Sequence, residues 1–279
     1  MINKNDIKII ENIQEYVYSS EDIKTIAENT VNTWQEKRSN VSKEEDTKMG
    51  KMAEDIFSAY IKHNMRNLTY LSYDDIRTNN FKKHAPFDGL IFNNTSIDME
   101  NLIKIIIEIN DEITNDKWGK ISDDLKIKCQ KNHIYIVEIK STRVTDRHKI
   151  NSKVNLDIFL KDDFLEYPKY LRTDKYDTIN GFMEYVNFCK KYRDFVCSTD
   201  DCIADIKHEE KNNMRHLYAR VYIDEQENIA YIIGCISNRT FINNAIIKKM
   251  PQWQKSELAL YLATSLSNGV SIDKISEIK

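Results

Sequence analysis

The stretch His133-Ile-Tyr-Ile-Val-Glu-Ile-Lys-Ser-Thr142, HIYIVEIKST, decides how this chain is read. Its apolar residues are aromatic or β-branched and alternate tightly, so it predicts a strand. Side chains two residues apart in a strand leave from the same face. Glu138 and Lys140 therefore stand together, while Val137 and Ile139 point into the opposite layer. An acid and an amine on an otherwise apolar strand cost desolvation energy unless they are paired, hold a metal or line an open cleft.

The tripeptide acid-Ile-Lys is common here, starting at Asp6, Asp22, Glu138, Asp205 and Glu277. Context separates the copies. Asp6 and Asp22 fall in helical patterns, Asp205 opens the charged run DIKHEEK, and Glu277 lies at the terminus. Only Glu138 sits within a strongly apolar strand.

Working outward, Pro86-Phe-Asp-Gly-Leu-Ile-Phe92 predicts a second short strand carrying Asp88, closed by a turn at Asn93-Asn94. If the two strands are neighbours, Asp88 and Glu138 can share one hard divalent cation such as Mg²⁺, which takes oxygen ligands. From Lys48 to His63 the residues Met49, Met52, Ile56 and Tyr60 recur at helical spacing, with Glu54 beside the stripe. This helix can hold a carboxylate at the border of the core.

The remaining pattern supplies the frame. Residues 6–18 and 20–37 predict two helices, followed by a polar hinge from Ser39 to Asp46. Residues 68–76 are extended, 98–113 helical, and 115–131 a polar connection, so 94–131 is an insertion between core strands. A helix at 180–193, a hairpin of LYARVYI and IAYIIGCIS, and a closing helix from Gln252 to Leu266 complete the prediction. The fold class is α/β, a central mixed sheet flanked by helices with an N-terminal helical segment. The expected units are 1–46 and 47–279.

The motifs APFDGLIF with Asp88, YIVEIKST with Glu138 and Lys140, and GKMAEDIF with Glu54 together resemble the PD-(D/E)XK nuclease superfamily, the restriction-endonuclease-like fold. The resemblance covers residues 48–142 firmly and the later strands loosely. Phe87 splits the Pro-Asp pair of the family name, and the fifty residues from Asp88 to Glu138 require the insertion. The resemblance implies that Asp88, Glu138 and the Ile139 carbonyl ligate Mg²⁺. Lys140 would orient or activate water, and Glu54 would be an accessory acid. Ser141, Thr142, Arg143 and Arg147, with Lys82 and Lys83 on the other side, are the expected DNA-backbone contacts. It also implies a type II restriction enzyme cutting double-stranded DNA as a homodimer, with a repair or phage-defence nuclease or a non-catalytic DNA-binding module of the same fold as alternatives.

Composition is compatible with this and excludes other classes. With 279 residues, 41% hydrophobic and 30% charged, and only 6 Gly and 3 Pro, the chain is globular and neither collagen-like nor Pro/Gly-rich. No apolar run reaches membrane-spanning length and no secretory leader is evident, which predicts no membrane partner. Five scattered Cys without a Cys-x-x-Cys pair predict a reduced cytoplasmic protein. Net charge is −3, yet Lys140, Arg143, Arg147, Lys149 and Lys153 face only Asp146 over fourteen residues. Cys197, Cys202, His208 and His216 form a weaker candidate zinc set whose spacing matches no tight knuckle.

Overall fold

A computed structural model describes residues 1–16, 40–79, 85–116, 119–166, 207, 215–252 and 257–277. Its centre is a six-stranded mixed sheet. In chain order its strands are β1 (Lys8–Glu11), β2 (Leu68–Ser72), β3 (Gly89–Asn93), β4 (Ile134–Arg143), then β6 (Leu217–Asp224) and β7 (Ile229–Ser237), with β5 assigned below. The spatial order is β1-β7-β6-β4-β3-β2. β2, β3 and β4 form an antiparallel meander, whereas β4 and β6 pair in parallel, Glu138 opposite Tyr218 and Lys140 opposite Arg220. A parallel pair needs a long crossover, here the chain between β4 and β6.

The pleat of β4 sorts its side chains into two cores. Val137 and Ile139, with Ala219, Val221 and Ile232, pack beneath α1 (Asn40–Asn64) through Met49, Met52, Ala53, Ile56 and Phe57. Ile134 and Ile136 face the other way. There they join Leu90 and Phe92 against α2 (Met99–Asn115) and α3 (Asp123–Lys131), the two helices of the insertion between β3 and β4. Each has a side-chain N-cap: Asp98 accepts from Glu100 N–H, and Ser122 from Leu125 N–H. The insertion is thus an ordered helical pair where the sequence suggested one helix and a polar connection.

Beyond that layer, on the same side of the sheet, Tyr218, Tyr222 and Ile233 pack against Phe164, Phe241 and Leu262. Phe164 and Leu262 belong to a second, three-stranded sheet of β5 (Asp163–Glu166), β8 (Ile246–Gln252) and β9 (Glu257–Ser265), ordered β8-β9-β5. The expected closing helix over 252–266 is therefore a strand in its described part. Leu258, Tyr261 and Leu262 suit helical spacing, but Leu258, Leu260 and Leu262 suit alternation equally, and pairing with β8 and β5 decides it.

The N-terminal expectation is also corrected. Residues 8–11 are not helical but form an edge strand paired antiparallel with β7, flanked by 3₁₀ turns at Lys4–Asp6 and Ile13–Tyr16. Two consecutive Ile residues serve a half-covered edge as well as a helix face, and the free edge of β7 selects the strand. The hinge expected over 39–46 is helical from Asn40 onward, as the first turns of α1. The helices expected at 20–37 and 180–193 lie outside the described residues. No helix among the described residues is long and apolar enough to cross a membrane.

Candidate active site

The pairing of β3 with β4 ends at Gly89 opposite Val137, and β4 runs six residues further to Arg143. Asp88 occupies the fork that this leaves. Its N–H donates to the Val137 carbonyl at 3.0 Å, continuing the ladder by one bond. Its side chain then replaces the missing strand, Oδ2 accepting from the Ile139 N–H. The Asp88 carbonyl accepts twice, from Tyr73 N–H at 2.9 Å and from the Tyr70 hydroxyl at 3.0 Å. Gly89 lets the Tyr70 ring approach so closely, since a Cβ there would lie 2.5 Å from ring carbons. Asp88 is thus fixed through its backbone before any ligand arrives.

Glu138 and Lys140 leave β4 from one face, as the sequence requires. Lys140 Nζ donates to Glu138 Oε1, while Arg215 Nε lies 3.1 Å from Glu138 Oε2. Glu138 is buried, and the Lys140 side chain is 40% exposed at the opening. Arg215 precedes β6 and also donates from Nε to the Pro86 carbonyl at 2.9 Å and from Nη1 to Glu166 Oε1 at 3.3 Å. One guanidinium therefore ties the loop bearing Asp88, the strand bearing Glu138 and the second sheet.

On the α1 side, Glu54 is buried and receives Lys51 Nζ at 2.9 Å on both oxygens. Lys51 also pairs with Asp74, which Arg77 holds at 2.9 Å. These contacts order the acids without neutralising their mutual repulsion. Burial and then the charge of Asp88 push Glu54 well above the usual carboxylate range. Burial and then Glu138 push Asp88 up to about 7, against the opposing pull of Lys140, the Ile139 N–H and Lys51. Lys140 is raised: its desolvation is outweighed by Glu138, Glu166 and Asp88. Carboxylates crowded to this degree favour a cation among them.

Asp88, Glu138, Lys140 and Glu54 are therefore gathered midway along β4, where β3 stops pairing: the charges of Glu54 and Asp88 act on one another, as do those of Asp88 and Glu138. Among the described residues, no three His, Cys, Asp or Glu side chains converge on a common point as a ready-made cage. Since the N–H and C=O of a strand residue share one edge, the Ile139 carbonyl faces the fork beside Asp88. Ser141 and Thr142 continue β4, the Thr142 hydroxyl donating to the Ser141 carbonyl at 2.9 Å. The basic run beyond is partly answered by acids: Arg143 pairs with Glu225 at 3.1 Å, Lys149 with Asp224 at 3.0 Å, and Arg147 lies 3.7 Å from Asp162. Lys82 and Lys83 lie outside the described residues.

Comparison with protein-family models, with curated proteins and with solved structures yields no match. The site is therefore read from its own geometry. Sequence reasoning missed Lys51, Asp74, Arg215 and Glu166. Lys51 carried a signal, lying one helical turn before Glu54. Arg215 carried none, because its partners Pro86, Glu138 and Glu166 are remote in sequence. The zinc alternative loses one member: His216 is buried and its Nδ1 accepts the Ile136 N–H at 3.0 Å, a structural bond. Cys197, Cys202 and His208 lie outside the described residues.

Proposed function

We propose that this chain is a Mg²⁺-dependent endonuclease of the PD-(D/E)XK type that hydrolyses phosphodiester bonds of double-stranded DNA. The observation that carries the reading is the meeting of Asp88, Glu138 and Lys140 where β3 and β4 part, with Glu54 of α1 against Asp88. The mixed sheet flanked by helices, in which the antiparallel meander β2-β3-β4 is followed by the parallel pair of β4 and β6, is compatible with the same reading. Type II restriction by a cytoplasmic homodimer is the specific role we favour, since two sites related by a two-fold axis suit a palindromic target.

The donor set fits a hard divalent cation: two carboxylates and a strand carbonyl, with Asp88 pushed up to about 7 by burial and then by Glu138. Asp88, Glu138 and the Ile139 carbonyl would hold it. Bound there, Mg²⁺ would supply Lewis acidity toward a phosphoryl oxygen and make a bound water more acidic. The chain's own residues do the rest. Lys140 presents its ammonium at the mouth, positioned by Glu138 to orient water and the scissile phosphate. Tyr70 and the Tyr73 N–H keep the Asp88 backbone still, which reduces reorganisation during the reaction. Lys51 holds Glu54, the α1 carboxylate that the charge of Asp88 acts on. Ser141, Thr142, Arg143 and Arg147 extend the same strand and loop toward a backbone that Lys140 would touch.

The test is incubation of the full chain with phage or plasmid DNA and Mg²⁺, followed by electrophoresis. Discrete fragments are expected, with Asp88→Ala and Lys140→Ala each slowing cleavage by at least about two orders of magnitude. Undiminished cleavage by either variant would remove the site assignment. The pairing of both Glu138 oxygens with cations favours one second reading, a DNA-binding module of the same fold without catalysis. DNA retention with no cleavage under any divalent metal would select it.

A further inference from the structure

Glu138 is held on one oxygen by Lys140 and on the other by Arg215, which has a second, buried carboxylate partner in Glu166. Lys140 belongs to the expected motif. Arg215 does not, and its placement is specific: Nε reaches Glu138 and the Pro86 carbonyl, Nη1 reaches Glu166. Among the described residues Glu166 Oε2 has no hydrogen-bond partner, so this carboxylate depends on Arg215. Arg215 is thus shared between two acids, one in the candidate metal site and one on β5 outside it.

We propose that Arg215 is a resident counter-ion that competes with the divalent metal for Glu138, and that Glu166 sets the strength of the competition by holding the guanidinium when Glu138 releases it. This rests on the reading that Asp88 and Glu138 hold a metal, and it deepens that reading by naming what occupies Glu138 beforehand. A buried acid without a partner is costly, so a site that must stay folded before metal arrives needs a substitute cation. A guanidinium with two carboxylate partners can yield one without being left unpaired. Arg215 acts through Glu138 and is a positioning residue.

The proposal makes two variants move in opposite directions. Arg215→Gln removes the competing charge and tightens metal binding by at least about tenfold, the scale for a unit cation a few ångströms from a divalent ion in a near-aqueous dielectric. Glu166→Gln leaves the guanidinium to Glu138 alone and weakens binding several-fold, while Arg215→Lys stays near wild type. The measurement is titration of Mn²⁺, which accepts the same oxygen donors, into the DNA-free full chain, following free Mn²⁺ by electron paramagnetic resonance. Thermal melts of each variant verify folding, and the Glu166→Gln and Arg215→Lys arms decide the matter should Arg215→Gln fail to fold. Binding weakened in both Gln variants would mark Arg215 as a purely structural clamp and overturn the proposal. Wild-type protein that takes up no Mn²⁺ would overturn the metal reading as well, whereas wild-type binding with unmoved variants would overturn this inference alone.

Discussion

Asp88→Asn should stabilise the protein at neutral pH while abolishing its proposed activity. Asp88 is raised from an ordinary 3.8 to about 7, so the folded chain holds a proton there that the unfolded chain releases near pH 4. For a raised acid the sign follows directly: the folded state binds more protons between these values, so stability falls as pH rises from about 4 to about 7 and is level above. The rise of roughly three units corresponds to an upper bound of about 4 kcal/mol at 1.4 kcal/mol per unit. Part of this is offset in the variant, because an amide oxygen accepts the Ile139 N–H less strongly than a carboxylate does, a loss of about 1 kcal/mol. Relief of Glu54, itself raised by burial and by Asp88, works in the stabilising direction. A net gain of about 2–3 kcal/mol at pH 8 is expected, shifting Tm upward on the order of 5–10 °C. At pH 4, where Asp88 is itself protonated in the folded chain, the variant should gain nothing. Urea unfolding of both proteins from pH 4 to 8 in metal-free buffer measures the difference. Parallel stability curves across that range would refute the electrostatic account of the fork.

Three further outcomes follow from neighbouring contacts. Gly89→Ala drives a Cβ to 2.5 Å from the buried Tyr70 ring and should cost about 1–3 kcal/mol, partly recovered in Gly89→Ala/Tyr70→Leu; independent effects in a double-mutant cycle would contradict the steric reading. His216 is lowered to about 4 by burial and then by Lys126, below its unfolded 6.5, so acidification from 6.5 to 4 should remove up to about 3 kcal/mol. An NMR titration of the His216 ring with a midpoint near 6.5 would rule this out. Substituting His216 by Ala leaves the buried Ile136 N–H without its acceptor and should cost about 1–3 kcal/mol in denaturant unfolding at pH 8.

Patterns that admit a single period were legible in the sequence. β4 alternates too tightly for a helix, and the stripe Met49, Met52, Ile56 is too regular for a strand, so both elements and the acids they carry could be placed. That the strands bearing Asp88 and Glu138 are neighbours was only a condition in the sequence, and the pairing of β3 with β4 meets it. What stayed hidden was settled by tertiary pairing. Lys8-Ile-Ile-Glu11 and Glu257–Ser265 satisfy two periods, and the sheet edges beside them choose the strand. Arg215 reads as one more cation in a Lys- and Arg-bearing chain until Pro86, Glu138 and Glu166 are folded around it. Asp88 was read as lying within a strand. Its place just before β3, where a side chain does the work of a missing neighbour, depends on where two strands stop pairing, which no local pattern encodes.

The edge strand β1 has a consequence in time. Lys8 pairs with Ile232, so β1 leaves the ribosome well before the strand it joins, a separation of 224 residues. At about 5–20 residues per second that wait is roughly ten to forty-five seconds. Throughout it, Ile9 and Ile10 have no sheet to join, and the bond they eventually make is among the least local in the molecule. Refolding of the full chain should accordingly end in a slow phase that docks this edge, in keeping with the delay that long-range pairing imposes. A nascent chain halted before β7 is the species in which a holding chaperone would find those residues exposed.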